Sequence, residues 1–402
     1  MFTVSVFLFA GKGSVYSRYG VGEIWTTADG RYAGMGLAGV ASLDVDYINP
    51  LNPAASSTLT RSMISANYRF QNIHSQDATG STTILKGNVN AIALAFPVYT
   101  PDKIVLSLGM SPYSSVGYEQ QYSSRFDGTV FIQTFDGRGG LSEGHLSLSY
   151  SPLTDLYLGI AVRYLFGAIY SDQSITFASS DFFGGSYNTT TSLSGLGVSF
   201  GTIVTGIDKL AGLSDEEHLS LGATFFSGSS LTMEDELLRH YSSTIDTITT
   251  DGQTMKLPFG FTAGLSYALG AAVYAADIGY ENWSAFTVNG VHPPELQNSV
   301  RAGAGVEFRP SKGYQESFWD KVYYRIGGYV RQTNLHINGQ SINEMFGTAG
   351  IGFPVSTYSR MNIGLQYGIR GTTASSLIRD DVFRLMVSVS ASELMFIQSP
   401  VE

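Results

Sequence analysis

From Ser62 onward the chain alternates apolar and polar side chains with a period of two, and no other feature limits its fold so strongly. Val300, Ala302, Ala304, Val306 and Phe308 share one face of an extended strand, with Arg301, Gly303, Gly305, Glu307 and Arg309 on the other. Met361, Ile363, Leu365, Tyr367 and Ile369 oppose Asn362, Gly364, Gln366, Gly368 and Arg370 in the same way. Phe259, Phe261, Leu265, Tyr267 and Leu269 oppose Gly260, Thr262, Gly264 and Ser266. A helix would scatter these residues around its axis, whereas a strand sorts them onto two faces. About fourteen such runs begin near residues 62, 88, 103, 141, 155, 192, 217, 257, 271, 299, 320, 344, 360 and 381, many of them roughly ten residues long.

The connections between runs alternate in length. Tyr99 to Asp102, Ser151 to Asp155, Leu269 to Ala271 and Pro354 to Ser359 are tight, while Gln71 to Gly87, Glu119 to Gly140, Tyr170 to Thr191 and Ser227 to Lys256 read as long polar or aromatic loops. Short turns on one side and long loops on the other are the asymmetry of a bacterial barrel with turns in the periplasm and loops outside. The turns after the tenth strand and before Glu217 are longer than that rule wants. A soluble β-sandwich alternates too. Length, strand count, loop asymmetry and a last strand closing on Phe396 together favour an all-β fold, a transmembrane antiparallel β-barrel of about 14 strands.

Composition narrows the function. Charged residues make up 14% of the 402, Gly numbers 46, Tyr 24 and Phe 24, and no run approaches the roughly 18 apolar residues of a spanning helix. Apolar surface is thus spread thinly along the chain, as alternating strands spread it. A net charge of -10 argues against nucleic acid as a partner, and the lack of cysteine excludes disulfides and thiolate metal sites. The short apolar run Phe2 to Ala10 has the size of a signal-peptide core without its basic leader, or of a short strand.

Ahead of the strands the chain is Gly-rich and irregular. Gly34, Gly36 and Gly39 spell a formal GxGxxG, but the strand, helix and distant acid of a dinucleotide site are not evident around it, so it reads as backbone packed tightly in a confined space. Two Asn-Pro steps in Asn49-Pro50-Leu51-Asn52-Pro53 exclude a helix interior or a central strand and require a fixed turn. The expected organisation is a truncated signal peptide over 1–15, a plug or hatch over 16–60, a barrel over 61–396 and a periplasmic tail over 397–402.

Asn52-Pro53-Ala54 after a Gly-rich start, Leu257-Pro258-Phe259-Gly260-Phe261 leading to Asn282-Trp283-Ser284, Ser299 to Pro310, and Gly347 to Pro354 occur in an order that resembles the outer-membrane long-chain fatty-acid transporter family (FadL type), in the form common in Bacteroidetes-like bacteria. That resemblance implies a monomeric outer-membrane barrel plugged by an N-terminal hatch. Its ligand would be a small hydrophobic compound, a long-chain fatty acid or aromatic hydrocarbon, released sideways into the bilayer lipids. It makes Asn52, Pro53 and Ala54 the hatch turn and sets the lateral kink in the third strand. There Pro112 removes a ladder bond and Gly117 weakens the strand. Among ligand contacts, Arg163 and Arg325 fall on inward faces, while Phe131, Phe135, Phe182, Phe183 and Leu237 belong to apolar outer loops, Leu237 in a Met233, Leu237, Leu238, Tyr241 run at helical spacing.

Enzymatic chemistry is not expected. His145 and Ser147 share an inward face without an orienting acid or amide, so a lipid hydrolase is a minor alternative. The remaining histidines, His74, His218, His240, His292 and His336, lack metal spacing, and no cofactor motif occurs. The second class of function is an outer-membrane component or shuttle of a protein secretion system.

Overall fold

The computed structural model describes residues 5–7 and 13–393, apart from 27, 79, 100, 180, 209–211, 215–216, 242–243, 310–316 and 357. Most of the apolar run Phe2 to Ala10, the tail 397–402 and the anchoring Phe396 lie outside the described residues.

The strands are β1 (Ser62–Gln76), β2 (Ser81–Tyr99), β3 (Ile104–Pro112), β4 (Ser114–Phe126), β5 (Thr129–Leu153), β6 (Leu156–Phe177), β7 (Gly185–Val204), β8 (Glu217–Phe226) and β9 (Ser230–Tyr241). They continue as β10 (Thr244–Lys256), β11 (Gly260–Leu269), β12 (Ala272–Glu281), β13 (Ser299–Phe308), β14 (Tyr323–Ile337), β15 (Gln340–Ser356), β16 (Ser359–Gly371) and β17 (Arg379–Glu393). All pairings are antiparallel; consecutive strands pair except at β3/β4, β8/β9 and β10/β11, where β3 pairs with β5 and β8 with β11 instead, and β17 closes on β1 from Glu393↔Ser62 to Arg379↔Gln76. β4, β9 and β10 carry β3, β8 and β11 outward beyond local breaks, so the wall is a closed barrel of 14 strands. Closure pairs the first strand with the last, so the sheet as a whole has no terminal edge, which a lipid environment requires. No helix among the described residues is long and apolar enough to cross a membrane.

Parity settles what faces where. Ile64, Tyr68, Ile278, Ile326 and Tyr367 are exposed on the outer face. Glu307, Asn362, Gln366, Arg370 and Asp380 are buried on the inner one. The four stretches expected as long loops are instead largely ladder: β1–β2, β4–β5, β6–β7 and β9–β10 are hairpins whose strands run on past the apolar belt. The Met233, Leu237, Leu238 and Tyr241 set lies on β9, paired to β7 and β10, not on a helix. A barrel strand leaving the bilayer can keep its hairpin partner, so the ladder persists after the apolar alternation that marks it has faded.

Residues 13–60 run through the lumen. They carry a short 3-10 turn (Val15–Arg18), a two-residue strand (Glu23–Ile24), one helical turn α1 (Gly30–Ala33) and a second 3-10 turn (Pro53–Thr58). The buried apolar core lies between this segment and the wall, with Tyr16, Val21, Tyr32, Leu37 and Tyr47 packed among Ile73, Leu141, Leu165, Tyr329 and Phe346.

Candidate functional site

Close approach of backbone to backbone seats the segment on the β13–β16 wall. A Cβ on Gly36, whose φ is +65°, would stand 2.3 Å from the Gly328 carbonyl and 2.5 Å from that of Ala304. One on Gly34 would meet Gly350, and one on Gly30 the Asn362 carbonyl. Only glycine tolerates both that conformation and that distance. The contact is also hydrogen-bonded: the Gly36 N–H donates to Thr348 Oγ1 at 3.0 Å, Thr348 Oγ1 to the Gly34 carbonyl at 3.1 Å, and Gln366 to the Ala33 carbonyl at 3.1 Å. On β12, Asp277 Oδ2 accepts the N–H groups of Gly39 and Val40 at 2.8 and 3.0 Å. The GxGxxG string is thus a packing motif.

The second Asn-Pro turn is pinned to the β6–β7 wall. Asn52 caps the Pro53–Thr58 turn through the Ala54 N–H, 3.0 Å away, and donates to the carbonyls of Val40 at 2.9 Å and Thr202 at 3.2 Å. Gly159 and Gly201 of the wall make room for Asn52, Pro53 and Ala54.

Two buried charge clusters tie the segment down. At the short-turn end, Glu307 accepts from Arg31 at 3.1 Å, Arg309 at 2.5 Å and Arg325 at 2.6 Å, and Arg31 also reaches Asp44 at 2.8 Å. Nearer the outer end, Glu23 Oε1 accepts from Arg370 at 2.6 Å and Arg384 at 3.2 Å, with Arg69 at 3.7 Å. Asp29, the N-cap of α1, accepts from Tyr47 Oη and from the N–H groups of Arg31 and Tyr32. Burial pushes its carboxyl up to about 6, outweighing the backbone N–H of Tyr32 and the Arg31 charge.

The opposite wall is interrupted. β3 pairs with β2 from Ile104↔Tyr99 to Met110↔Ile92 and no farther, while the outer stretch of β2 from Ser81 pairs only with β1. After Pro112 the chain turns at Tyr113, whose N–H goes to the Leu141 carbonyl at 2.8 Å. β4 then keeps β5 on one edge and presents the other to the N-terminal segment: Glu23↔Ser115, Ile24↔Ser114, and the Trp25 N–H to the Tyr113 carbonyl at 3.0 Å. The segment therefore occupies the ladder position that β2 has left. Gly117 lies beyond the break and holds Ser17 Oγ through its N–H and carbonyl, at 3.0 and 3.1 Å. Tyr113 and the Gly139-Gly140 pair, with φ of +105° and +133°, were missed from sequence. A Cβ on Gly140 would lie 2.4 Å from the Ser114 carbonyl, and the adjacent glycines were the available signal.

Two cavities meet beside this break. One, of about 210 Å³, is lined by Trp25, Leu51, Tyr113, Phe226, Arg301 and Arg331; the other, of about 100 Å³, by Asn67, Ala91, Ser111, His145 and Ser147. Pro50, Pro53, Glu143, Arg163 and Ser199 border both. Arg163 pairs with Glu143 and lies over the Phe226 ring at 5.3 Å, so it stands at the junction. Arg325 does not reach either cavity lining; its Nε is spent on Glu307. The aromatic candidates do not converge on one groove. Phe131 and Phe182 pack with Phe177 at 5.7 and 5.2 Å, Phe135 faces Tyr122 and Arg18, Phe183 is 79% exposed, and Leu237 is half-buried on β9.

Solved barrels share this architecture. A Pseudomonas aeruginosa FadL homologue is 13% identical over 92% of this chain and 99% of that one, with a TM-score of 0.62. The Pseudomonas putida toluene transporter TodX is 16% identical over 91% and 98%, at 0.61, and the Ralstonia pickettii toluene transporter TbuX 14% over 91% and 98%, at 0.60. At such identities the likeness is one of fold. No curated protein matches in sequence. A closed barrel with an apolar outer belt is an outer-membrane architecture, and the bacterial outer membrane is where this chain resides. A family model described as BamG matches residues 1–401, and the chain belongs to the BamG family.

Proposed function

We propose that the barrel is a passive transporter of small hydrophobic compounds, long-chain fatty acids or aromatic hydrocarbons, that admits them to the lumen from outside and releases them sideways into the bilayer. The observation that carries this reading is the ladder break between β2 and β4 with a cavity behind it, lined by Ala91 and Ser111. A fatty chain gains about 0.8 kcal/mol per CH2 on leaving water, so a side exit into lipid follows the gradient that a wet pore would oppose. Residues 16–60 act as the hatch in this scheme, and Asn52, Pro53 and Ala54 as its fixed turn. Cavities of about 210 and 100 Å³ are small for a long chain. Passage therefore requires the segment to move at the gap. Arg163 and Glu143, at the junction, are the groups a ligand would meet there.

The test is uptake of labelled oleate and of toluene by cells without their own transporter for either, with and without this chain in the outer membrane. Faster uptake of either compound, with the same compound recovered by mass spectrometry from solvent extracts of the purified barrel, is the expected result. Uptake at the background rate for both, from a correctly assembled barrel, overturns the reading.

A further inference from the structure

Glu23 sits among three arginines of the barrel wall. Its Oε1 takes Nη2 of Arg370 at 2.6 Å and Nη2 of Arg384 at 3.2 Å, with Nη2 of Arg69 at 3.7 Å, three guanidinium groups from three adjacent strands, all at least nine-tenths buried. The rest of the cradle is fixed: Arg384 donates to Gln71 at 3.1 Å and to Tyr329 Oη at 2.9 Å, Arg370 to Glu344 at 2.7 Å, and Arg69 covers the Trp25 ring at 4.0 Å. The same residue begins the two-residue strand that fills the ladder gap at Ser114 and Ser115 of β4. One side chain therefore joins a charge cluster on β1, β16 and β17 to the seal over β4.

We propose that the Arg69–Arg370–Arg384 cradle is a carboxylate-binding site held by Glu23 in the closed barrel, and that an incoming amphiphile's carboxylate exchanges with Glu23 and frees the Glu23–Trp25 seal. Two observations require exchange rather than simple addition. The free space beside the cradle, bounded by Glu23, Trp25, Arg69, Tyr329 and Arg384, is about 20 Å³, room for one water and not for a second carboxylate. Removing Glu23 with nothing in its place would leave three buried cations facing Glu344 and Asp380 alone, and a buried charge without a partner is strongly disfavoured. Opening is thus coupled to the arrival of another anion. Ile24, Trp25, Arg301 and Arg331 line both this space and the 210 Å³ cavity, which gives a ligand its approach. Burial favours a neutral Glu23, but Arg370, Arg384 and Arg69 outweigh it and hold the carboxyl well below its usual range, so the latch stays charged throughout physiological pH.

The route through the gap rests on the transport reading; the exchange itself does not, and its test contains no uptake step. Ile24 and Ser114 are register partners, and the chain has no cysteine, so Ile24→Cys with Ser114→Cys in the full-length barrel reports the seal as a disulfide formed under brief oxidation. In neutral-lipid nanodiscs, laurate is expected to slow this cross-link about tenfold by depopulating the closed seal, while dodecanol leaves it unchanged. Adding Glu23→Gln is expected to slow it similarly without laurate, and Glu23→Asp to retain most of the rate. Equal effects of laurate and dodecanol, or no effect of laurate, overturn the proposal. The laurate arm decides even if the Gln variant fails to assemble. Absent uptake with an intact laurate response would remove the transport reading and leave the carboxylate site; the reverse pair of results would do the opposite.

Discussion

The lumen segment meets the barrel wall in two ways. Against β13 to β16 it sits backbone on backbone, with Gly34 and Gly36 against Gly350 and Gly328 and Glu307 gathering three arginines. Against β4 it is held by a two-residue ladder, the Trp25 N–H, and the Ser17 and Ser114 hydroxyls, the latter donating to the Val21 carbonyl at 2.7 Å. The first contact is close-packed and carries the buried charges around Glu307; the second has a close approach of its own, Gly22 with φ of +99° against the Ser115 carbonyl, but is otherwise a row of exchangeable hydrogen bonds, each worth about 1 kcal/mol net. One side is built to anchor and the other to yield, which is what a sideways exit needs.

Replacing Gly36 by Val attacks the anchored side most directly. The side chain would have to occupy the space of two wall carbonyls at a φ that β-branched residues avoid. A loss of about 4 kcal/mol or more, or no heat-modifiable barrel on electrophoresis, is expected. If Gly36→Val assembled normally, the close contact would not be what seats the segment.

Glu307→Ala comes next. It strands Arg31, Arg309 and Arg325 with Asp44 as the remaining carboxylate of the cluster. Removing one partner of a buried pair costs about 3–5 kcal/mol, read as a lower urea midpoint.

A smaller, pH-dependent effect separates α1 from the rest of the anchor. Asp29 has its pKa raised from 3.8 to about 6 in the folded chain. Between those values the folded state keeps a proton that the unfolded chain has released, so this group makes stability fall as pH rises from about 4 to 6. Unfolding midpoints at pH 4, 5, 6 and 7 should show that decline in the natural chain and lose it in Asp29→Asn, which retains the acceptor for the Arg31 and Tyr32 N–H groups.

The least effect is expected on the yielding side. Pro112 ends β3, yet the turn there is held by the Tyr113 N–H on Leu141 and the Ser114 hydroxyl on Val21. Pro112→Ala should therefore change stability by less than about 1 kcal/mol and leave the Trp25 amide as protected from hydrogen exchange as before. Restored pairing of β2 with β4 in that variant would show that the proline, not the turn, makes the break.

The barrel was legible because lipid outside and polar contents inside impose alternation on every strand, as in Val300 to Phe308 and Met361 to Ile369. The hairpin extensions were not, since beyond the bilayer the outer face no longer has to be apolar: β10 reads as Thr, Asp and Gln yet is laddered to β9 along most of its length. At the site, inward parity placed Arg163 and Arg325 correctly in the lumen, but parity says nothing of partners. The meeting of Glu23 with Arg69, Arg370 and Arg384 spans 347 residues in the case of Arg370, and no local pattern marks it.

By itself the sequence determined the all-β class, the two-faced strands, the rigidity of the Asn-Pro turns and the crowding around Gly34, Gly36 and Gly39, because these follow from side-chain period, a locked φ and a missing Cβ. Tertiary structure alone decided what fills the broken ladder and which carboxylate each arginine holds. Barrel closure brings the first strand against the last and encloses the N-terminal segment in the lumen, so these contacts depend on the shape of the closed wall and not on neighbours in the chain.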